Sequence, residues 1–210
     1  MLHTALALVA TSYIAWYMEQ YETRVVYPFD SSYTSPVAAG EPRLSETRLA
    51  ASDGEELIVW RRDADAGKPT VVYFPGNAGA LADRVDRFSV LLDRGYGLVA
   101  LGYRGSSGSG GTPSEALIIT DAMQLIETEV AHPLVLFGES LGTAVAIRMA
   151  AKGHGDALIL EAPFTSFTEL IESQFPNEQL AHLVTQTWDN DVAVPNVAQP
   201  LLVIHGASDQ

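Results

Sequence analysis

Short apolar runs alternate with amphipathic stretches along most of this chain. The runs are too brief for helices and are bounded by Gly, Pro or polar residues, which favours buried strands. They occupy 70–74, 98–101, 134–137, 157–160 and 201–204. Apolar positions at helical spacing lie in 80–94, 113–130 and 142–151. Buried strands that alternate with helices predict an α/β fold, in which a mostly parallel sheet is covered by helices on both faces.

Local signals define two of these elements further. The segments 46–50 and 57–61 flank a Gly-containing turn, which predicts a β-hairpin. Thr112, Pro113 and Glu115 suit the N-cap, N1 and N3 positions of a helix, where the Glu can close a capping box. The helix over 113–130 is therefore expected to begin at this point.

The interval 162–200 interrupts the alternation of strands and helices. It is about twice as long as one crossover connection, and its apolar spacing predicts two short helices, near 167–173 and 177–187. We expect the segment 164–195 to form a small lid inserted into the domain.

The N-terminal stretch has a different composition. Residues 2–18 include no Asp, Glu, Lys or Arg, and their number is at the short end of what spans a bilayer as a helix. We expect residues 1–20 to form a single-pass membrane anchor, with the side of the membrane undetermined. A cleaved signal peptide, or a helix that lies in the membrane interface or packs on the domain, are the alternatives. A Ser/Thr/Pro/Gly-rich composition predicts a linker over 21–45, followed by a domain over 46–210.

Charge and cysteine content exclude several functions. The chain has 12 basic and 26 acidic residues, a formal net charge of −14. An acidic surface without a basic run repels phosphate backbones, so no nucleic-acid partner is expected. Cysteine is absent, which excludes disulfides, thiolate metal sites and cysteine nucleophiles. We expect no metal site.

The pentapeptide 138–142, GESLG, is the strongest chemical signal. A G-x-S-x-G pattern is weak alone, but this one follows a predicted strand and opens a predicted helix, the context that a nucleophile elbow requires. The chain must reverse there within a few residues, which strains the backbone of Ser140 and leaves room only for glycine at 138 and 142. Ser140 is therefore the candidate catalytic nucleophile.

A serine that transfers acyl groups needs hydrogen-bond donors for the oxyanion. The backbone N–H of Leu141 is fixed by the elbow itself. The second donor is expected from the loop after an earlier strand, and we assign it to the Asn77 N–H; a plain β-turn is the alternative. The Gly-rich segment 104–111 lacks a phosphate-loop pattern, and we interpret it as a flexible loop at the rim of the active site.

The acid and the base of a triad are expected later in the chain. Asp209 directly follows the last predicted strand and suits the carboxylate that orients the base. The order Ser, Asp, His then requires a histidine after Asp209, where only Gln210 remains. Because a final strand and helix are also missing, and no Lys or Arg follows Lys152, we interpret the chain as an N-terminal fragment with almost no turnover of its own.

These residues together resemble the α/β-hydrolase superfamily. The likeness is closest to the N-terminally anchored serine hydrolases related to fungal bud-emergence proteins and mammalian protein depalmitoylases. It covers about 46–210, and the matching segments are 73–79, 102–105 with Gly110, 112–115, 138–142, 161–166, and His205 and Gly206 with Asp209. The resemblance implies hydrolysis of carboxylic or thioester bonds without a cofactor. An apolar N-terminal segment is also usual in that group.

The main hypothesis is a serine hydrolase acting on small-molecule or lipid acyl esters or thioesters. Ser140 attacks the acyl carbon, a histidine beyond this chain moves the proton, and Asp209 orients that histidine. The aromatic residues of the lid either form an apolar surface that binds the acyl chain of the substrate or simply pack within the domain. They are Phe164, Phe167, Phe175 and Trp188. The alternative is a non-catalytic, membrane-tethered binding protein on the same fold. Peptidase and dehalogenase chemistry are disfavoured.

Overall fold

In the computed structural model, residues 21–129, 132–174 and 184–207 are described. Seven strands form one sheet, and each predicted strand is present within a few residues of its expected bounds. The strands are β1 (Ser45–Ala50), β2 (Glu56–Arg62), β3 (Thr70–Phe74), β4 (Gly97–Leu101), β5 (Leu134–Glu139), β6 (Ala157–Glu161) and β7 (Leu201–Ile204).

The strand order in the sheet is β1-β2-β4-β3-β5-β6-β7. β1 and β2 form the predicted antiparallel hairpin, β2 pairs antiparallel with β4, and all the other pairs are parallel. Phe74 lies opposite Gly138, and Glu139 lies opposite Glu161. The carboxyl ends of β3, β5 and β6 therefore meet at one edge of the sheet, which is where open α/β sheets bind ligands.

Helices cover both faces of the sheet, as predicted. They are α1 (Val85–Leu92), α2 (Glu115–Glu129), α3 (Leu141–Ala151), α4 (Phe167–Gln174) and α5 (Asn190–Ala193). Neighbouring residues of β3 point to opposite faces, so Val72 belongs to one hydrophobic core and Tyr73 to the other. The first core is shared with α2 and α3, and the second includes Phe88 of α1. The α/β fold is confirmed.

The predicted helices differ from the observed ones in detail. The helix expected over 80–94 begins with a 3-10 turn, Leu81–Arg84, before α1. The helix expected over 177–187 lies largely outside the described residues, and residues 184–187 are not helical. The short helix α5 and the 3-10 turn Val194–Asn196 were not predicted, because each is too brief to show a periodic pattern.

The segment 21–45 is packed against the domain and is not a detached linker. Residues 21–26 are helical, and the side chains of Val26 and Tyr27 are buried in the core shared with α2 and α3. Leu44 is buried in the core on the opposite face. The Ser/Thr/Pro/Gly-rich composition indicated a linker, but three buried side chains hold this segment against the domain.

One edge of the sheet is apolar and open. The side chains of β7 are 45–53% exposed along the whole strand, so the described residues leave this edge strand uncovered. Within 21–129, 132–174 and 184–207, no helix has both the length and the apolar character needed to cross a bilayer. The expected anchor over 1–20 lies outside the described residues.

Candidate active site

Ser140 lies at a strained turn between β5 and α3. Its backbone has φ 49° and ψ −115°, a conformation that L-residues rarely adopt. The turn is fixed on both sides, because the Ser140 N–H donates to the Glu161 carbonyl at 2.8 Å and the Ser140 carbonyl accepts from the Thr143 N–H at 2.8 Å. The side chain of Thr143 donates to the same carbonyl at 2.6 Å. This geometry holds Ser140 at the carboxyl end of β5, half-buried, at the N-terminus of α3.

The two glycines of the elbow have no room for a side chain. A Cβ on Gly142 would overlap the Phe74 carbonyl oxygen and lie 2.8 Å from the Pro75 oxygen. A Cβ on Gly138 would overlap the Gly142 carbonyl and lie 2.5 Å from the Thr143 Cα. The steric requirement therefore comes from the backbone of β3 and from the first turn of α3, neither of which can move without disturbing the sheet.

The loop after β3, residues 75–79, lies beside Ser140. The position of a Cβ on Gly76 is 3.5 Å from the Ser140 Cβ, so this loop borders the candidate nucleophile. In the described part of the chain, the N–H groups of Asn77 and Leu141 donate to no backbone or side-chain acceptor. Unpaired N–H groups at the start of a helix and in an adjacent loop suit the stabilisation of an oxyanion.

The N-terminal segment and the Gly-rich loop hold the loop 75–79 in place. Asn77 Nδ2 donates to the Val26 carbonyl at 3.1 Å, and the Asp30 N–H donates to the Gly79 carbonyl at 3.1 Å. From the other side, the Ser107 hydroxyl accepts from the Leu81 N–H at 2.9 Å. These contacts fix the loop before any substrate is present.

The Gly-rich segment 104–111 is anchored by a buried arginine, which corrects the interpretation as a flexible loop. The side chain of Arg104 is 1% exposed, and its Nε and Nη2 donate to both carboxylate oxygens of Asp121 at 2.7 and 2.8 Å. Its Nη1 also donates to Asp53 at 2.5 Å. A bidentate pair of this kind imposes one geometry on the loop. Local composition could not reveal this, because Asp53 and Asp121 are distant in sequence.

A polar cluster lies directly beneath the nucleophile. The Glu139 carboxylate accepts a hydrogen bond from the Tyr73 hydroxyl and pairs with Arg84, whose Nε and Nη2 are 3.2 and 3.4 Å from its oxygens. Burial opposes the ionisation of Glu139, but the Tyr73 hydrogen bond and the Arg84 charge outweigh it, so the pKa of Glu139 is below its usual value. Neither Tyr73 nor Arg84 is among the site residues expected from the sequence. Only the position of Glu139 inside the pentapeptide pointed to this cluster.

A second ion pair lies alongside the first. Arg87, one turn after Arg84, donates two hydrogen bonds to the Glu161 carboxylate at the end of β6, one of them at 3.0 Å. Its guanidinium also lies over the rings of Tyr73 and Phe137, at 5.9 and 5.5 Å from their centroids. The charges of both carboxylates near the carboxyl edge of the sheet are thus balanced by arginines from the same helical segment.

The aromatic residues proposed for an acyl wall are in different environments. Phe164 and Phe167 are half-buried and meet edge to face, with ring centroids 5.3 Å apart. Trp188 is fully buried, and its indole Nε1 donates to the Tyr27 hydroxyl at 3.1 Å. Trp188 therefore packs inside the domain and does not line an open surface, which corrects its assignment. Phe175 lies outside the described residues.

The remaining triad members are not brought to Ser140 by the described residues. Asp209 lies outside them. His132 and His154 lie in the connections that precede β5 and β6, at the opposite edge of the sheet from Ser140, and His132 Nδ1 pairs with Asp156 at 2.9 Å. His205 follows β7 at the correct edge and is exposed, but β6 separates its strand from β5. Within the described ranges, no group of three or more His, Asp or Glu side chains is arranged to hold a metal ion.

Three relatives share much of this sequence. An uncharacterised Mycobacterium tuberculosis protein is 31% identical over 97% of this chain and 75% of its own length. Protein bem46 of Schizosaccharomyces pombe is 27% identical over 99% of the chain and 77% of its own length. Lysophosphatidylserine lipase ABHD12 of Rattus norvegicus is 34% identical over 72% of the chain, but the match spans only 44% of that protein.

Solved structures agree on the fold. An α/β hydrolase from Vibrio vulnificus superposes with a TM-score of 0.64 at 19% identity, over 77% of this chain and 63% of that one. The Pyrococcus furiosus esterase Pf2001 superposes with a TM-score of 0.63 at 18% identity, over 84% of this chain and 74% of that one.

The family model described as serine aminopeptidase, S33 (Hydrolase_4), matches residues 66–191. This match includes the loop after β3, the nucleophile elbow and most of the lid segment, and it covers more than half of the sequence. The chain therefore belongs to the serine aminopeptidase S33 family of α/β hydrolases.

Proposed function

We propose that this protein is a serine hydrolase that cleaves acyl esters through an acyl-enzyme on Ser140. The observation that carries the proposal is the strained Ser140 backbone at the elbow between β5 and α3, with the loop 75–79 beside it. An elbow of this kind presents the serine hydroxyl at the carboxyl edge of the sheet, where a substrate can reach it. Backbone strain of this kind costs free energy and is found mainly at functional sites, which supports a catalytic role for Ser140.

In the proposed reaction, the Ser140 oxygen attacks the acyl carbon and forms a tetrahedral oxyanion. The N–H groups of Leu141 and Asn77 donate hydrogen bonds to that oxyanion and thereby lower the barrier. A histidine that the described residues do not supply takes the serine proton and returns it to the leaving alcohol or thiol, and Asp209 orients its imidazole. Water then releases the acyl group by the same steps.

The relatives support an ester as the substrate. One of them is named a lysophosphatidylserine lipase and a structural neighbour is named an esterase, which favours lipid or other acyl esters over peptides for this chain. Phe164 and Phe167 offer an apolar surface for the acyl chain. An apolar anchor over 1–20 would place such an enzyme at a lipid surface, and the segment 164–195 would form its lid. A thioester is the second substrate class that the same chemistry accepts.

The test is hydrolysis of p-nitrophenyl acyl esters of increasing chain length by the full-length protein, which means this sequence together with any natural chain that continues it. Ser140→Ala should reduce kcat at least about 10³-fold, because the nucleophile is removed. Ser45→Ala is the matched control, since Ser45 is exposed on β1 at the far edge of the sheet. Equal hydrolysis by wild type and Ser140→Ala would contradict the proposal and leave the non-catalytic binding protein as the better account.

A further inference from the structure

The carboxylate of Glu139 poses an electrostatic problem for the reaction. Glu139 precedes the nucleophile, and its Oε1 lies 3.5 Å from the position of a Cβ on Gly76, the same distance from that point as the Ser140 Cβ. A negative charge so close to the oxyanion would oppose the charge that develops on the substrate oxygen. At the effective dielectric of a partly buried site, an interaction of this range changes rates by about 10- to 100-fold.

Arg84 is placed to remove that problem. Its side chain is only 12% exposed, and its Nη2 lies 3.6 Å from the same Cβ position on Gly76, so the guanidinium borders the loop 75–79 as well as Glu139. Its Nη1 donates to the Ala80 carbonyl at 3.1 Å, which fixes the head group against the end of that loop. The positive charge therefore lies beside the carboxylate, and it is about as close as the carboxylate to the loop that borders Ser140.

We propose that Arg84 is a positioning residue that acts through Glu139: it neutralises the carboxylate beside Ser140 and so keeps the oxyanion site free of an opposing charge. This inference rests on the proposed function, because it needs an oxyanion at Ser140. Tyr73 assists by donating a hydrogen bond to the same carboxylate, but it brings no charge. Arg84 is thus required for its charge, and Glu139 creates the requirement.

A purely structural role for the ion pair predicts a different pattern of variants. If Arg84 only tied its helical segment to the elbow, then removing the second partner could not repair the loss of the first. If Arg84 screens the charge of Glu139, Arg84→Gln should lower kcat because Glu139 stays ionised. Adding Glu139→Gln to that variant should then restore kcat. Arg84→Lys should retain most of the activity, since it keeps the positive charge.

The experiment measures kcat and KM of the full-length protein on one p-nitrophenyl ester, with melting temperatures for every variant. We expect Arg84→Gln and Arg84→Ala to lower kcat about 10- to 100-fold with KM changed less than about 3-fold. The double variant Arg84→Gln/Glu139→Gln should recover most of that loss, and Arg84→Lys should stay within about 5-fold of wild type.

Arg87 and Glu161 provide the matched control, because they form the same kind of pair one turn away. Arg87→Gln should lower kcat less than Arg84→Gln, because Arg87 acts on Glu139 through its charge without a direct hydrogen bond. Glu161→Gln should produce no recovery in the Arg84→Gln background. The inference would be overturned if Arg84→Gln/Glu139→Gln had a kcat no higher than that of folded Arg84→Gln. It would also be overturned if folded Arg84→Gln had the kcat of the wild type. If the wild type hydrolyses no ester and a fluorophosphonate does not label Ser140, the proposed function itself fails and the inference fails with it.

Discussion

Asn77 and Val26 are joined by a hydrogen bond from the Asn77 amide Nδ2 to the Val26 carbonyl, 3.1 Å long. The bond links the N-terminal segment to the loop beside the nucleophile. Val26 is itself held in the core, so the loop is attached to a fixed point of the domain. The part of the chain that follows the apolar N-terminal stretch thus helps to position the loop of the candidate active site.

Removing this bond should affect activity more than stability. Asn77→Ala leaves the Asn77 N–H in place but frees the loop, so we expect kcat to fall about 10-fold through misplacement of the donor. The free energy of unfolding should fall by only about 1 kcal/mol, the usual worth of one hydrogen bond. Ester hydrolysis and urea denaturation measure the two quantities. Asn196→Ala is the control, since Asn196 is exposed in a distant 3-10 turn; an equal loss of kcat there would contradict the account.

Gly142→Ala should destabilise the whole domain. The added methyl group would overlap the Phe74 carbonyl, and neither α3 nor β3 can withdraw without breaking sheet hydrogen bonds. We expect a loss of about 3 kcal/mol or more in the free energy of unfolding, measured by denaturant titration. Gly153→Ala is the comparison, because no atom lies within 4 Å of its Cβ position and only its φ of 90° adds strain, costing about 1 kcal/mol. Similar losses for both would show that the elbow is not tightly packed.

The buried ion pair of Arg104 with Asp121 should contribute far more to stability than an exposed ion pair. Arg104→Ala leaves the Asp121 carboxylate, 2% exposed, without its partner, so we expect a loss of about 3–5 kcal/mol in unfolding free energy. Arg48→Ala removes an exposed pair with Glu56 and should cost less than about 1 kcal/mol. Chemical denaturation of both variants measures the difference. A small effect of Arg104→Ala would mean that the loop 104–111 is not held by this arginine.

Glu41 should contribute to acid sensitivity. Hydrogen bonds from Arg43 and from Ser89 lower the pKa of Glu41 to about 2, from 4.5. A carboxyl group whose pKa is lower in the folded state than in the unfolded state stabilises the protein at pH values above its unfolded-state pKa. That stabilisation is lost as the pH falls from about 4.5 towards 2. Denaturation midpoints of wild type and Glu41→Gln should therefore converge as the pH falls through this range. A constant difference between them from pH 7 to pH 2 would contradict this assignment.

The local sequence pattern predicted the strands and the elbow well. Each predicted run is short, apolar and bounded by turn residues, although the last, β7, is exposed and not buried as expected. The context of Ser140 follows from the strand before it and the helix after it. Signals of this kind are local, so they can be read from neighbouring residues. The glycine requirement at 138 and 142 follows from the same sharp turn.

Long-range contacts could not be read from the sequence. The burial of Trp188 depends on Tyr27, the anchoring of the loop 104–111 depends on Asp53 and Asp121, and the pairing of Arg84 with Glu139 spans two different elements. No spacing rule joins these residues, because they meet only when the sheet has formed. For the same reason, composition indicated a linker over 21–45 although Val26 and Tyr27 are buried.

The most direct test of the account is covalent labelling of the full-length protein with a fluorophosphonate, followed by mass spectrometry of the peptides. We expect a stoichiometric adduct on Ser140 that is absent in Ser140→Ala and unchanged in Ser45→Ala. An unlabelled Ser140 in a folded protein that still hydrolyses esters, or an adduct on a different serine, would contradict the claim that this elbow is the catalytic centre.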